Sequence, residues 1–298
     1  MLQGFNPANE NIQVYIDGRL LPRSEARVSV FDSSVQGGDA VWEGLRVYDG
    51  RVFSLDAHLD RLFDSAHALW FQNVPSRETV VDAIRQTLEA NNMHNDVHIR
   101  LTLTRGEKIT SGMDPRLNQR GCTLIVLAEH KPPVYPASIT LSTSSVRRNS
   151  AMSIDSKVHH NNLINNILAK IEANHAGADA GLMLDKDGFV AEANGVNVFL
   201  IRRGKVRTPW ADYCLPGITR ATVLQLCHDH GIPCEEARLS TTEFYVADEV
   251  FTTGTMGELT RVSAIDGREI VNKHGESVLE RIQSLFRKLT ATGGTRLV

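Results

Sequence analysis

Residues 180–201 read AGLMLDKDGFVAEANGVNVFLI, and this stretch indicates how the second half of the chain folds. Apolar runs flank the turn sequence DKDG at residues 185–188, so we predict strands at Ala180–Leu184, Phe189–Glu192 and Asn197–Ile201. Strands joined by short turns pair as antiparallel hairpins, whereas parallel strands need a long crossover. The stretch therefore favours a mixed α/β fold without strict βαβ alternation.

The same reading extends outward through the second half. Helical spacing of apolar residues predicts helices at Asn161–His175, Thr219–His230 and about Glu276–Leu289, and a strand is predicted at Ser138–Val146.

The first half also alternates between strands and helices. A D-G pair at residues 17–18 predicts a hairpin, residues 35–39 form a glycine-bearing loop, and Ser76 is a candidate helix N-cap. Strands are predicted at Ala40–Tyr48, Val97–Thr104 and Thr123–Ala128, and helices at Leu55–Trp70 and Arg77–Asn91.

A proline-rich segment, HKPPVYP at residues 130–136, is the best candidate for a domain boundary. Proline removes a backbone donor and stiffens the chain, so we expect neither a helix nor a sheet to run through it. The sequence thus predicts a small N-terminal α/β domain at 1–130, a linker at 131–136 and a larger C-terminal domain at 137–298.

Composition narrows the possible partners to small molecules. The 298 residues carry a formal net charge of −3, which gives no electrostatic reason to expect nucleic acid or a membrane surface. We find no signal-peptide pattern and no apolar run of membrane-spanning length. The four cysteines lack C-x-x-C spacing, so we expect reduced thiols and a cytoplasmic protein.

Common nucleotide and hydrolase motifs are missing, and the conspicuous polar cluster is KVHHNN at residues 157–162. Adjacent histidines such as His159 and His160 project in different directions, and a third ligand is not nearby, so we expect no metal site. From spacing alone, the cluster is interpreted as a polar loop that caps the helix beginning at Asn161.

Several motifs in order resemble the branched-chain aminotransferases and their relatives, the class IV (fold type IV) pyridoxal-phosphate enzymes. The resemblance covers about Val14 to Arg268. Its motifs are VWEGLR at 41–46, HLDRL at 58–62, Lys157 with Asn161-Asn162, EANGVNVF at 192–199, LPGITR at 215–220, ADEVF at 247–251 and TGTMGE at 253–258.

The resemblance implies a pyridoxal 5′-phosphate cofactor in an interdomain cleft, held mainly by the C-terminal domain. Lys157 would be the catalytic lysine that holds the cofactor as a Schiff base and moves a proton. Glu192 would hold the pyridinium proton, and Arg61 would bind the phosphate. The other implied cofactor residues are Asn162, Gly217, Ile218, Thr219, Gly254 and Thr255, of which the glycine turn at 217–219 precedes a helix, a common phosphate site.

Substrate residues implied by the resemblance are Trp42, His98, Arg100, Thr255 and Met256. His98 and Arg100 lie two apart on a predicted strand and so share a face, which suits either a carboxylate site or a structural ion pair. The chain departs from the branched-chain pattern where relatives carry tyrosines, at Gly37, His98 and Asn162.

We therefore expect an aminotransferase that exchanges amino groups between a branched-chain or similar hydrophobic amino acid and a 2-oxo acid such as 2-oxoglutarate. The alternatives on the same scaffold are a D-amino-acid or (R)-amine transaminase and a 4-amino-4-deoxychorismate lyase. A catalytically idle cofactor-binding protein is a further alternative. The resemblance also implies a homodimer or a larger even assembly.

Overall fold

The computed structural model describes residues 4–131 and 137–298. By contacts the chain divides into two compact units. Among the described residues, the N-terminal unit comprises residues 4–131, Val158–Asn162 and Thr290–Val298, and the C-terminal unit comprises residues 137–157 and Leu163–Leu289. The sequence prediction assigned 158–162 and 290–298 to the C-terminal domain, whereas contacts group them with the N-terminal unit. Most of the predicted linker, residues 132–136, lies outside the described residues.

The strands of the described residues are β1 (Gln13–Ile16), β2 (Arg19–Pro22), β3 (Ala40–Tyr48), β4 (Arg51–Val52), β5 (Val97–Thr104), β6 (Thr123–His130), β7 (Ser138–Thr143), β8 (Ala180–Leu184), β9 (Val190–Ala193), β10 (Asn197–Arg202), β11 (Lys205–Pro209), β12 (Cys234–Ala237), β13 (Glu249–Gly254), β14 (Glu258–Ile265), β15 (Arg268–Glu269) and β16 (Thr295–Arg296). The α-helices are α1 (Ser33–Gly37), α2 (Leu55–Ala68), α3 (Arg77–Ala90), α4 (Ile164–His175), α5 (Ile218–Asp229), α6 (Thr241–Tyr245) and α7 (Val278–Thr292).

The N-terminal unit is built on an antiparallel sheet, in which the described strands follow the order β16-β4-β3-β5-β6-β1-β2. Alternation along β3 and β5 sends one set of side chains into a core beneath α2 and α3. Ser76 caps α3 by accepting a hydrogen bond from the Thr79 amide, as predicted. The opposite face carries Trp42, His98 and Arg100.

The C-terminal unit holds a mixed sheet, whose described strands run β12-β11-β10-β13-β14-β7-β8-β9, with β15 beside β14. The pairs β14–β7, β7–β8 and β11–β12 are parallel, and the remaining pairs in this list are antiparallel. The hairpin predicted around residues 185–188 forms between β8 and β9. Helix α4 packs on β7 and β8, and α5 packs on β12 and β13.

Two local predictions are wrong. Residues 33–37 form a short helix that Gly38 ends in the left-handed conformation, in place of the predicted loop. Helix α4 begins at Ile164, and its N-cap Leu163 makes no side-chain capping bond, so residues 157–162 do not cap it. The segment after Lys157 pairs instead with β3, because the Asn161 amide donates to the Ala40 carbonyl at 2.8 Å.

No helix among residues 4–131 and 137–298 combines the length and apolarity that a membrane crossing requires.

Candidate active site

A buried carboxylate in the C-terminal unit, that of Glu192 on β9, is 4% exposed and makes two side-chain hydrogen bonds. Arg148 donates from Nε to Oε1 at 2.6 Å, and Asn197 donates from Nδ2 to Oε2 at 3.1 Å. Burial raises the pKa of Glu192. Arg148 and a backbone hydrogen bond involving Leu215 act to lower this pKa, but they offset the effect of burial only in part. The group is thus a buried carboxylate poised to take or share a proton.

Asn197 joins this carboxylate to the start of α5. Its Nδ2 also donates to the Leu215 carbonyl at 2.9 Å, and a Cβ added to Gly217 would lie 2.0 Å from its Oδ1. A side chain at residue 217 would therefore displace the Asn197 amide. Gly217 is the N-cap of α5 and offers no capping side chain, so the first amides of the helix, including those of Ile218 and Thr219, lack intrahelical acceptors.

A third element of the C-terminal unit is the tight turn between β13 and β14. Gly254 ends β13, and Thr255 and Met256 form the turn before β14. A Cβ on Gly254 would lie 2.8 Å from Cγ1 of Val196, so this glycine permits close packing. The Thr253 hydroxyl, opposite Asn197 in the β10–β13 ladder, is buried and has no hydrogen-bond partner among the described residues.

Lys157 lies in the loop before the segment 158–162, and its side chain is about half exposed. Its amide donates to Oδ1 of Asp155 at 3.0 Å, and its Nζ lies 4.0 Å from the same oxygen.

In the N-terminal unit, Arg61 on α2 is paired with a buried glutamate. Its Nε and Nη2 donate to Oε1 and Oε2 of Glu43 at 2.8 and 2.7 Å. Glu43 is fully buried and also meets Nδ1 of His58 at 2.7 Å and Nδ1 of His159 at 3.1 Å. One carboxylate therefore organises an arginine and two imidazoles.

Electrostatics assign protonation states in this cluster. Burial acts to raise the pKa of Glu43, but His159, Arg61 and His58 together hold it well below its usual range. Burial lowers the pKa of His159 to about 4, although Glu43 opposes the shift. Arg61 and the two imidazoles thus keep Glu43 ionised, and its carboxylate accepts a hydrogen bond from Nδ1 of His159.

Trp42 and Arg100 meet on the face of the N-terminal sheet opposite the core beneath α2 and α3. The Arg100 guanidinium carbon lies 3.5 Å from the Trp42 ring centroid, and Nη2 donates to Oδ1 of Asn161 at 2.8 Å. Burial lowers the pKa of Arg100 to about 10. Burial of the nearby His98, together with the positive charges of Lys131, Arg46 and Arg100, lowers its pKa to about 3. The Nε2 atom of His98 is buried and has no hydrogen-bond partner among the described residues.

Asn162 is the last residue of the segment 158–162 and lies close to Gly38. A Cβ added to Gly38 would lie 3.8 Å from Cα and Cβ of Asn162.

Within residues 4–131 and 137–298, no group of His, Cys, Asp and Glu side chains is arranged to hold a metal ion.

The structure groups the predicted residues within each unit. Trp42, His98 and Arg100 share a face of the N-terminal sheet, and Arg61 lies on α2 beside Glu43. In the C-terminal unit, Asn197 connects Glu192 with Gly217. Sequence reasoning missed the partners of these residues, which are Glu43, His58, Arg148, His159 and Asn197. Glu43, His58 and Asn197 stood in recognised motifs and His159 in the polar cluster at 157–162, but Arg148 had no distinguishing sequence signal.

The family model Amino-transferase class IV matches residues 40–265. The Branched-chain-amino-acid aminotransferase-like protein 2 of Arabidopsis thaliana is 57% identical over 290 residues, which cover 97% of this chain and 52% of that protein. A putative branched-chain-amino-acid aminotransferase of Methanocaldococcus jannaschii is 38% identical over 288 residues, with 96% and 99% coverage.

Among solved structures, the branched-chain amino acid aminotransferase from Thermobaculum terrenum in its PLP-bound holo form superposes with a TM-score of 0.83 at 27% identity, covering 95% of each chain. The fold is therefore that of the fold type IV branched-chain aminotransferases. The chain belongs to the class IV aminotransferase family. It spans about half the length of the two Arabidopsis relatives that it matches.

Proposed function

We propose that this protein is a pyridoxal-phosphate-dependent aminotransferase that moves an amino group from a branched-chain or similar hydrophobic amino acid to a 2-oxo acid such as 2-oxoglutarate. The observation that carries the proposal is the buried Glu192 carboxylate, which Arg148 and Asn197 fix beside the uncapped start of α5. Family membership and relatives whose names describe branched-chain aminotransferases support the same reaction.

The residues present fit the cofactor. Glu192 offers a buried carboxylate to a protonated ring nitrogen, and its raised pKa suits a group that shares a proton. The amides of Ile218 and Thr219 at the start of α5, with the buried hydroxyl of Thr253, supply donors for a phosphate. A side chain at Gly217 would collide with Asn197, so the close backbone approach at this position requires glycine.

Each cofactor residue has a proposed role. Lys157 holds the cofactor through its amine, Glu192 retains the ring proton, and Arg61 contributes positive charge to the phosphate. Gly217, Ile218, Thr219, Gly254 and Thr255 supply backbone and hydroxyl donors, and Asn162 is proposed to contact the cofactor as well.

When bound, pyridoxal phosphate supplies a ring that accepts electrons as the bond between Cα and hydrogen of the amino acid breaks. Lys157 would hold the cofactor through its amine, and the same amine, once free, would carry a proton. Glu192, kept in place by Arg148, would hold a proton at the ring nitrogen. In the overall exchange the donor amino acid would become its 2-oxo acid and the acceptor 2-oxo acid would become an amino acid, so that the amino group of one and the oxo oxygen of the other change places.

Substrate recognition is proposed for Trp42, His98, Arg100, Thr255 and Met256. The indole of Trp42 offers an apolar wall, and Arg100 beside it offers a cation for a carboxylate. The turn amides of Thr255 and Met256 are further carboxylate donors.

His98 favours keeping a second candidate function. It is a buried, neutral imidazole with an unpaired Nε2 among the described residues, at a position where branched-chain enzymes carry tyrosine. A different polar group at this position alters how a carboxylate is gripped, so a D-amino-acid or (R)-amine transaminase and a 4-amino-4-deoxychorismate lyase stay alternatives on this scaffold. A homodimeric assembly and a cytoplasmic location stay predictions.

The test is the absorption spectrum of the reconstituted protein, mixed with a panel of L- and D-amino acids and chiral amines. Conversion of the cofactor band to the pyridoxamine form by hydrophobic L-amino acids, and its return with 2-oxoglutarate, supports the proposal. The Lys157→Ala variant serves as the control and should turn over at least about a thousandfold more slowly.

Three outcomes point elsewhere. Conversion by D-amino acids or (R)-amines alone would move the assignment to those transaminases. Release of pyruvate from 4-amino-4-deoxychorismate without an amino acceptor would identify the lyase. If no amine changes the absorption band of the bound cofactor, the protein would be a cofactor-binding protein without catalytic activity.

A further inference from the structure

The segment Val158–Asn162, which we call the edge segment, extends the N-terminal sheet beside β3. The Trp42 amide donates to the His159 carbonyl at 2.9 Å, and the Asn161 amide donates to the Ala40 carbonyl at 2.8 Å. The Trp42 indole Nε1 donates to the His160 carbonyl at 3.2 Å. Strand β4 pairs with β3 only at Val47 and Tyr48 and so leaves the rest of that side of β3 unpaired by β4. The three hydrogen bonds fix the edge segment along this side.

The side chain of His159, in the edge segment, is linked to the proposed phosphate-binding residue Arg61 through one residue, Glu43. The His159 imidazole lies 4.1 Å from the Trp42 ring and donates from Nδ1 to Glu43, which binds Arg61 through two hydrogen bonds. The His159 amide donates to Oγ of Ser65 on α2, the helix that carries Arg61. His159 is thus fixed on three sides and is 13% exposed at its side chain.

A second side chain of the edge segment holds the proposed substrate arginine directly. Oδ1 of Asn161 accepts a hydrogen bond from Nη2 of Arg100 at 2.8 Å, and the guanidinium rests on Trp42. A flexible arginine side chain loses conformational entropy when it binds a ligand. A partner that already holds the side chain in place reduces this entropic cost of ligand binding.

We propose that the edge segment is a positioning element with two separate tasks. His159, through Glu43, orients Arg61 for the cofactor phosphate, and Asn161 orients Arg100 for a substrate carboxylate. This inference rests on the proposed function, since it takes Arg61 and Arg100 as ligand-binding residues. Neither His159 nor Asn161 had a role in the reaction described above.

A purely structural role for the segment predicts something different. If it only completed the sheet edge, a damaged segment would lower stability and would change cofactor and substrate binding together. A positioning role predicts that the two properties separate, because His159 and Asn161 act on different arginines.

The experiment compares His159→Ala, Asn161→Ala and the exposed control His67→Ala in the full chain. Pyridoxal phosphate is titrated into the apoprotein to give an apparent Kd, and KM and kcat are measured at saturating cofactor. We expect His159→Ala to weaken cofactor binding about tenfold with KM unchanged, the loss of roughly one hydrogen bond to a charged group. We expect Asn161→Ala to raise KM about tenfold with cofactor affinity unchanged.

Conservative variants sharpen the test. In His159→Asn the amide nitrogen takes the place of Nδ1, so cofactor affinity should return to within about threefold of wild type. Asn161→Asp keeps the acceptor for Arg100 but adds a negative charge that opposes a substrate carboxylate, so KM should rise at least as much as in Asn161→Ala while cofactor affinity stays at the wild-type value.

Arg61→Gln separates failure of the inference from failure of the proposed function. If Arg61→Gln weakens cofactor binding while His159→Ala does not, the inference is overturned and the proposed function stands. Equal effects of His159→Ala and Asn161→Ala on Kd and KM, accompanied by lower Tm values, also overturn it. If Arg61→Gln leaves cofactor binding unchanged, the assignment of Arg61 and the inference built on it both fail.

Discussion

Arg61 and Glu43 form a two-point hydrogen-bonded ion pair in which Nε and Nη2 of the arginine lie 2.8 and 2.7 Å from the two carboxylate oxygens. The carboxylate is fully buried, and the arginine side chain is 13% exposed. Such a paired geometry fixes the direction of the guanidinium as well as its charge. The proposed phosphate arginine is therefore oriented by the protein itself.

Replacing the buried partner should be costly. In Glu43→Gln, Arg61 loses its anionic partner and a neutral amide stays buried among His58 and His159, so we expect about 3 kcal/mol less free energy of unfolding, as for other broken buried pairs. Urea unfolding at pH 7 measures the change. Glu89→Gln, which breaks an exposed pair with Arg85, should leave the free energy of unfolding nearly unchanged. Equal effects of the two variants would contradict the role of Glu43.

His98 should make stability sensitive to acid. Its folded pKa is about 3, whereas a histidine in the unfolded chain titrates near 6.5. As the pH falls below about 6.5, only the unfolded chain takes up this proton, so the folded state loses stability until the pH nears the folded pKa.

His98→Phe removes this linkage. Between pH 7 and pH 5, wild-type unfolding free energy should fall by about 2 kcal/mol more than that of the variant. Urea unfolding at both pH values provides the comparison, and His94→Phe, at an exposed position, should behave as wild type. A wild-type protein whose pH dependence matches that of His98→Phe would show that this histidine is not held neutral.

Arg148 should support Glu192 in a pH-dependent way. Arg148→Met leaves the carboxylate buried without its cation, so we expect a loss of about 3 kcal/mol in unfolding free energy at pH 7. Because the variant raises the Glu192 pKa further, the folded state takes up a proton as the pH falls and part of the loss is recovered at pH 5. Unfolding titrations at both pH values test this, with exposed Arg147→Met as the control. A loss that is the same at both pH values would argue against a buried charge as its cause.

Gly217 should tolerate no side chain. In Gly217→Ala the new Cβ would collide with Oδ1 of Asn197, which must then move from Glu192 or from the Leu215 carbonyl. We expect weaker cofactor binding by about tenfold or more, with about 1–3 kcal/mol lost in stability. Gly195→Ala meets no atom within 4 Å and should keep wild-type affinity. Unaltered cofactor affinity in Gly217→Ala would remove this glycine from the proposed site.

The sequence allowed much of the fold to be predicted because local signals and tertiary structure agree. Turn residues correctly predicted the hairpins at residues 17–18 and 185–188. The spacing of apolar residues correctly predicted helices α2 and α3. The error at residues 157–162 has a physical reason. An edge segment that pairs with β3 takes its conformation from a partner more than a hundred residues away, and no local pattern encodes that pairing.

Partners of the candidate site were harder to predict for the same reason. Arg148 and Glu192 are 44 positions apart, and His159 and Glu43 are 116 positions apart. Spacing rules apply within a single helix or strand, so they do not reveal such contacts. The motifs pointed to Arg61, Glu192 and Gly217, and the structure adds the groups that hold them.

The most direct test of the central claim is to reduce the reconstituted protein with borohydride and map the cofactor by mass spectrometry of its peptides. We predict a phosphopyridoxyl group on Lys157, and its loss when a hydrophobic L-amino acid is added before the reductant. A label on another lysine, or no label on a protein that has bound the cofactor, would contradict the account.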